Sequence, residues 1–347
     1  MVKRLLLMCL LICLGCATAA TAAGKKTAAK WSPAFDYSGA EYTYLLSNVS
    51  HPAIEGVGVG LRIRDRVWQE TKGRLYVDFR PLSQLGGEKD VLRKLKMGAI
   101  QGMMCSSVAA ANLAPMLGVV NLPYVVDSFD KLDKFRNTPA LFKPFSECAL
   151  ASAKVRVVDI TGYGTYGWAT TTPVANLDQA AKVNFRIAQA PVNADIYKAW
   201  GLKFTALPWP DVPQALQTGV ITGLDHSPIV CNITKKFEIA KYFTEVNYAQ
   251  GLFIHMINER WLKKLPQDLR VTLLKIIADE SAEARKRTRI QQQQQIDAAK
   301  AVGVTFYQLS VEQKQKLVDL AAPVYKRWQG KIGADYLKKV RQTLGEQ

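Results

Sequence analysis

Asp225, His226 and Ser227 stand side by side and offer the three side chains of a hydrolytic relay. Neighbours on a short strand or turn point in different directions, however, and a relay needs a triad assembled in space. No HExxH, GxSxG or Walker loop occurs, and GVGVG (56–60) has the wrong spacing for a dinucleotide loop. His51, His226 and His255 are spaced for no metal site. The reading is therefore a binding protein and not an enzyme, with no cofactor and no metal.

What remains is material for a cleft. Arg186 sits in a strand-like run between Phe185 and Ile187. There an arginine is costly unless paired, and its planar fork of donors suits a carboxylate. The plainer alternative is an arginine on an edge strand or facing solvent. Trp209, after Pro208 and before a helix, is either a packing residue or one wall of an apolar pocket. Tyr163, Tyr166 and Trp168 carry the same two readings. Aromatic walls with one arginine point to capture of an organic anion, with water excluded around it.

These residues need a scaffold, and the patterning supplies one. EYTYLLS, RLYVDFRP (74–81) and the run after Gly98 read as strands, separated by helical stretches over 56–73 and 82–98 that Gly73 and Gly98 close. A second α/β unit follows: strands within 154–170, 183–191, 202–209 and 220–228, with helices over 193–201 and 211–219. Pro139 and Pro144 are expected to interrupt helix. From residue 259 helix dominates, with Leu269, Leu273, Ile276, Ile277, Ala284 and Ile290 as its apolar positions and Pro323 dividing a later helix. Strand–helix alternation in two blocks predicts an open-sheet α/β fold of two domains.

Composition agrees. The chain has 347 residues, 48% of them hydrophobic, enough for a sizeable core. Its net charge of +17 would attract nucleic acid, an anionic membrane or an acidic partner, yet the basic runs at 62–66, 94–97, 235–237, 285–289 and 338–341 are scattered. No zinc spacing, KH loop or RRM signature accompanies them, so a solvated basic surface and no nucleic-acid partner are expected. Lys3 and Arg4 precede LLLMCLLICLGCA and the small residues ATAATAA, the pattern of a signal peptide over residues 1–22. The periplasm follows as the location, and Leu14-Gly15-Cys16 offers lipidation at Cys16 as the less favoured alternative. Cleavage leaves Cys105, Cys148 and Cys231, read as buried thiols behaving as small hydrophobes.

Several pieces of the chain then fall into a familiar order. They are HP (51–52), ETKGRLYVDFRPLSQLGGEKDVLRKLKMGAI (70–100), LPYVV (122–126), FRIAQAP (185–191), ALPWPDVPQALQTGVITG (206–223), KKFEIAKYFTEVNY (235–248) and WLKKL (261–265). From about His51 to Trp328 the chain resembles the solute-binding proteins of TRAP transporters, the DctP-like family. The resemblance implies a two-domain periplasmic binding protein with open mixed sheets, hinge strands and a long domain-spanning helix. The implied lobes are 39–162 plus 246–285 and 163–245 plus 286–347. It also implies a monomer that captures a small organic acid and passes it to TRAP membrane permease subunits, with uptake driven by an ion gradient.

On the same basis the family's carboxylate-binding arginine falls on Arg186 and its cleft aromatic on Trp209. Its frequent asparagine falls on His226, beside Asp225, where the histidine would be an ordinary donor or a cation at acidic pH. Asn48 and Ser106 match first-domain contacts, and Tyr163 and Trp168 would add apolar walls. Departures bear on the ligand. GYGTYGWATTT (162–172) lacks the second arginine of sialic-acid-type members, and Thr222 replaces an acidic residue before Gly223. A sialic acid or simple C4-dicarboxylate is disfavoured, and an aromatic or keto monocarboxylate fits better. The alternative role is that of a ligand-binding input protein for an envelope signalling system.

Overall fold

Parallel strands with apolar residues on both faces need helices to cover them, and the first hundred residues supply both. β1 (Tyr42–Ser47), β2 (Leu75–Arg80) and β3 (Gly102–Ser106) pair in parallel in the order β2-β1-β3. The helices Glu55–Glu70 and Glu88–Met97 connect them. Gly98 ends the second helix with φ 82°, a left-handed residue whose N–H bonds back to the Leu95 and Lys94 carbonyls. The computed structural model describes residues 31–345, and the chain from Glu41 onward is one compact unit. The expected leader, Cys16 and the cleavage site lie outside the described residues.

Two further strands complete this sheet from far along the chain. β4 (Val155–Thr165) and, later in sequence, the strand Gln250–Asn258 extend it to β2-β1-β3-β10-β4, where β10 denotes Gln250–Asn258, antiparallel to both neighbours. All nine residues of β10 are buried. A strand covered on both faces loses the alternation that marks a half-exposed one, which is why QGLFIHMIN shows no strand pattern.

A second sheet takes the remaining strands: β5 (Gly167–Thr170), β6 (Asn184–Ile187), β7 (Lys203–Ala206), β8 (Gly223–His226), β9 (Tyr242–Glu245) and β11 (Thr305–Gln308), in the order β11-β9-β5-β8-β6-β7. The chain passes between the sheets at residue 166, where β4 runs into β5, and again between β9 and β10. At the first passage Gly251 matters: a Cβ there would lie 2.1 Å from the Tyr163 ring, so only glycine lets that ring rest against β10.

A helix of 35 residues, Gln267–Ala301, makes the third passage. At about 1.5 Å per residue it is roughly 50 Å long. Its first half buries Leu269, Leu273, Ile276 and Ile277, while Arg285 and Thr288 bury polar groups against β4. Ile290, expected on the apolar face, is 61% exposed. The periodicity fails there because the second half is held by glutamines. Gln291 takes the Glu55 N–H and donates to the Ala53 carbonyl, Gln292 takes the Thr165 N–H, and Gln295 accepts from Asn232.

Pro323 divides the C-terminal helices Val311–Leu320 and Ala322–Ile332, as expected. Pro144, expected to break helix, lies inside Pro139–Glu147, where its missing N–H removes one bond from the second turn. Cys105 and Cys231 are buried and Cys148 is half-buried, all three unbridged; burial raises each thiol above its usual range.

Candidate binding cleft

The C-terminal ends of parallel strands are where open α/β sheets receive ligands, because loops diverge there and helix N-termini face the gap. Here β1 and β3 of the first sheet and β6 and β8 of the second deliver their ends to one narrow cavity. Val49 and Ser50 follow β1, Ser106 ends β3, Arg186 lies in β6, and Asp225 and His226 end β8. Tyr163 and Tyr166 enter from the first passage between sheets, Phe253 from β10, Asn193 from the helix Pro191–Ala199, and Trp209 from the turn after β7. Glu88, Arg186, Ala188 and Trp209 also border a wider outer recess, so they form the waist between the cleft and its mouth.

Arg186 is buried, and β6 is an interior strand between β8 and β7, which removes the edge-strand reading. Its Nε and Nη2 both donate to the Leu207 carbonyl, at 3.0 and 2.8 Å. That grip leaves the Nη1–Nη2 edge of the fork available. Burial pulls the guanidinium below its usual range, opposed by the charge of Glu88. Among the described residues no carboxylate reaches ion-pair distance of it. The guanidinium lies 5.5 Å from the Trp209 ring centre, and the Lys236 ammonium lies 5.3 Å from the same ring.

His226 packs edge-on to Trp209 with ring centres 5.0 Å apart. Its Nδ1 accepts the Ser227 N–H at 3.0 Å, so the neutral ring carries its proton on Nε2 and is a donor. Burial, then the nearby charges of Arg186 and Lys236, hold its pKa well below the usual histidine value. Both effects favour the neutral ring as a donor over the cation. Tyr163 and Tyr166 share a hydrogen bond of 2.5 Å; whichever donates, the other keeps a proton to offer.

Asp225 is the unusual group. Its Oδ2 accepts from Tyr248 at 2.7 Å and Asn193 at 3.1 Å, while its Oδ1 is buried with no partner among the described residues. Burial pushes its carboxyl up to about 7, with Tyr248 opposing. The unfolded chain ionises this group near 4, so the folded state holds the extra proton between about pH 4 and 7. Stability linked to Asp225 is then full below pH 4 and lost as pH rises through 7. The apo Asp225→Asn variant is expected to match the parent at pH 4 in urea unfolding and to exceed it at pH 8 by about 2–4 kcal/mol. A less stable variant at pH 8 would contradict the buried, ionised carboxylate.

The structure brings together Arg186, Trp209, His226, Asp225, Tyr163 and Ser106 in one cavity. Trp168 and Asn48 do not line it. Trp168 is in the core of the second sheet, donating to the Tyr197 hydroxyl at 3.0 Å and packing on Phe185. Asn48 spends its amide on the Met104 carbonyl and the Ser50 N–H, and so shapes the loop that presents Val49 and Ser50. The Asp225-His226-Ser227 run is not a relay, since the Ser227 hydroxyl donates to the Tyr163 carbonyl.

Val49, Ser50, Val108, Ala188 and Phe253 escaped the sequence reading, and so did one acid and one amide of the lining. Glu88, in the first turn of its helix, accepts from Ser106 N at 2.6 Å and Ser106 Oγ at 2.7 Å, so one carboxylate ties the helix start to the end of β3. The acid after a Gly-Gly turn was its only local signal. Asn193 looked like ordinary helix surface and is buried. Among the described residues no group of three or more His, Cys, Asp or Glu side chains could hold a metal, and no helix is long and apolar enough to cross a membrane.

Comparison with known proteins follows the same outline. Residues 49–331 match the family model for bacterial extracellular solute-binding protein, family 7. The C4-dicarboxylate-binding periplasmic protein of Rhodobacter capsulatus is 26% identical over 286 residues, covering 80% of this chain and 83% of the relative. A solute-binding protein of a Sulfitobacter species is 24% identical, covering 81% and 85%. Among solved structures, a TRAP periplasmic solute-binding protein from Shewanella oneidensis with bound succinate superposes with a TM-score of 0.82 at 20% identity, covering 88% of this chain and 99% of that one. A Bordetella pertussis solute receptor binding pyroglutamic acid gives a TM-score of 0.80 at 21% identity, covering 87% and 99%.

Proposed function

The chain belongs to the bacterial extracellular solute-binding proteins of family 7, and on that premise we propose that it is a periplasmic receptor that captures an organic monocarboxylate without turning it over and hands it to a TRAP membrane permease. The observation that carries this is Arg186, buried at the waist of the cleft with one edge of its fork pinned to the Leu207 carbonyl and the other unpaired. A carboxylate seated on that edge gains two charge-assisted hydrogen bonds. The His226 Nε2–H and the spare tyrosine proton are further donors in the same cavity.

Trp209, Tyr163, Tyr166 and Phe253 supply apolar faces for a planar or ring-bearing body, which suits an aromatic or keto acid. Two acids in the lining, Glu88 and Asp225, disfavour a dianion. The lobes 39–162 with 246–285 and 163–245 with 286–347 would close about the two strand passages, excluding water and strengthening the pairing. The protein acts as a monomer, with no nucleic-acid partner.

A thermal-shift panel of carboxylates on the leader-free protein tests the binding step. A ligand at 100 times its Kd stabilises by about 2.7 kcal/mol, a shift of several degrees. No shift with any carboxylate would end this reading. Loss of uptake of the bound acid in a strain lacking the gene tests delivery, and intact uptake with a lost transcriptional response would assign signalling instead.

A further inference from the structure

We infer that the captured molecule is a zwitterion, a carboxylate and a protonated N–H-bearing nitrogen on a compact, ring-sized body; this rests on the carboxylate reading above. Three residues that line one cavity carry acceptor oxygens. Asp225 Oδ1 and Asn193 Oδ1 are buried, and neither has a hydrogen-bond partner among the described residues. Glu88 takes the Ser106 N–H and the Cys105 thiol on Oε1 and the Ser106 hydroxyl on Oε2, which keeps a further lone pair. Buried acceptors left without donors are costly, so a ligand that brings donors is selected over one that does not.

Charge favours the same class. Among the described residues Arg186 is the one cationic side chain lining the inner cavity, against the two carboxyls of Glu88 and Asp225. A plain monoanion occupies the arginine and leaves the Glu88 carboxylate without a cation, while Asp225, which burial holds toward its protonated form, gains nothing from it. A zwitterion brings its own cation to those acids, so charges cancel within the closed cavity. The faces of Trp209, Tyr163, Tyr166 and Phe253 also attract a ligand cation through their ring quadrupoles. A neutral N–H or O–H donor would satisfy the acceptors without balancing the charge, which makes the two contributions separable.

Titration calorimetry on the leader-free protein with a matched series separates them. L-Proline, L-pipecolate and L-phenylalanine carry both charges. Tetrahydrofuran-2-carboxylate replaces the ring nitrogen of proline with an acceptor oxygen, pyroglutamate keeps a neutral N–H, and pyrrolidine keeps the cation without the carboxylate. At least one zwitterion is expected to bind tenfold or more tightly than the ring-oxygen and lactam acids. Glu88→Gln and Asp225→Asn, checked for folding by their thermal midpoints, should each weaken that zwitterion by tenfold or more relative to tetrahydrofuran-2-carboxylate measured on the same variant. Equal or tighter binding of the ring-oxygen acid or pyroglutamate overturns the zwitterion while the carboxylate reading stands. Absence of binding by every zwitterion at millimolar concentration overturns it as well. Pyrrolidine binding as tightly as proline, with no loss in Arg186→Ala, overturns the carboxylate reading itself.

Discussion

Arg186→Ala is expected to weaken carboxylate binding by at least about 100-fold, and Arg186→Lys by about tenfold, when Kd is measured by calorimetry. The scale follows from the cost of removing one partner of a buried, hydrogen-bonded charge pair, about 2–5 kcal/mol or more. Lysine keeps the charge but not the planar fork, and the two-point contact becomes one. The Leu207 carbonyl is what makes the arginine specific. By taking Nε and one Nη2 hydrogen it fixes the guanidinium plane and leaves one edge for the ligand.

The variants should fold. Arg186 has no carboxylate partner in the apo protein, so its burial is a desolvation cost that alanine relieves. That cost is opposed by the two bonds to the Leu207 carbonyl and, at a distance, by Glu88, Tyr166, Asp225 and Tyr163. Folded variants with unchanged affinity would sink the carboxylate clamp. An unfolded alanine variant would leave Arg186→Lys to decide, since it retains a donor for the Leu207 carbonyl.

Asp159→Ala is expected to destabilise the protein by about 3–5 kcal/mol in urea unfolding, the cost of breaking a buried ion cluster by deleting its fully buried acid. Asp159 is fully buried on β4. Its Oδ1 accepts from Arg136 Nε at 2.9 Å, Arg285 Nη1 at 2.9 Å and the Ile160 N–H at 2.8 Å, and its Oδ2 accepts from Arg136 Nη2 at 2.6 Å. Without it, Arg285 on the long helix keeps the Ile160 carbonyl at 2.8 Å and the half-exposed Asp133 at 3.2 Å. Two guanidiniums would then face each other with little between them. Because the cluster ties the long helix to the strand that leads into the cleft, the loss should also weaken ligand binding. A loss below about 1 kcal/mol would mean that water or Asp133 replaces the acid, and that the cluster is not what anchors this helix.

Much of the scaffold is legible along the chain because its signals are local. Apolar alternation in Leu75, Val77 and Phe79 marks β2, Gly98 stops the helix before β3, and Pro323 divides the terminal helices. Arg186 and Trp209 are legible for another reason. An arginine amid apolar strand residues, and a tryptophan wedged between prolines at a helix start, are uncommon enough in type and place to be noticed without a partner in view. β10 is not legible, since full burial on both faces erases the period that would reveal it.

The sequence by itself therefore determined the element types, the two α/β blocks and the residues whose chemistry stands out alone. Only the tertiary structure decided which acids and amides share the cleft with Arg186. Glu88 reaches it because its helix starts beside the end of β3, and Asn193 and Tyr248 meet at Asp225 although 55 residues of chain separate them. It also set Trp168 and Asn48 back from the cavity, one in the core and one beneath a loop. The physical reason is common to these cases. Periodicity and propensity act over a few neighbouring residues, whereas the desolvation that raises Asp225 and orphans its Oδ1 arises from the order in which strands distant in sequence come side by side.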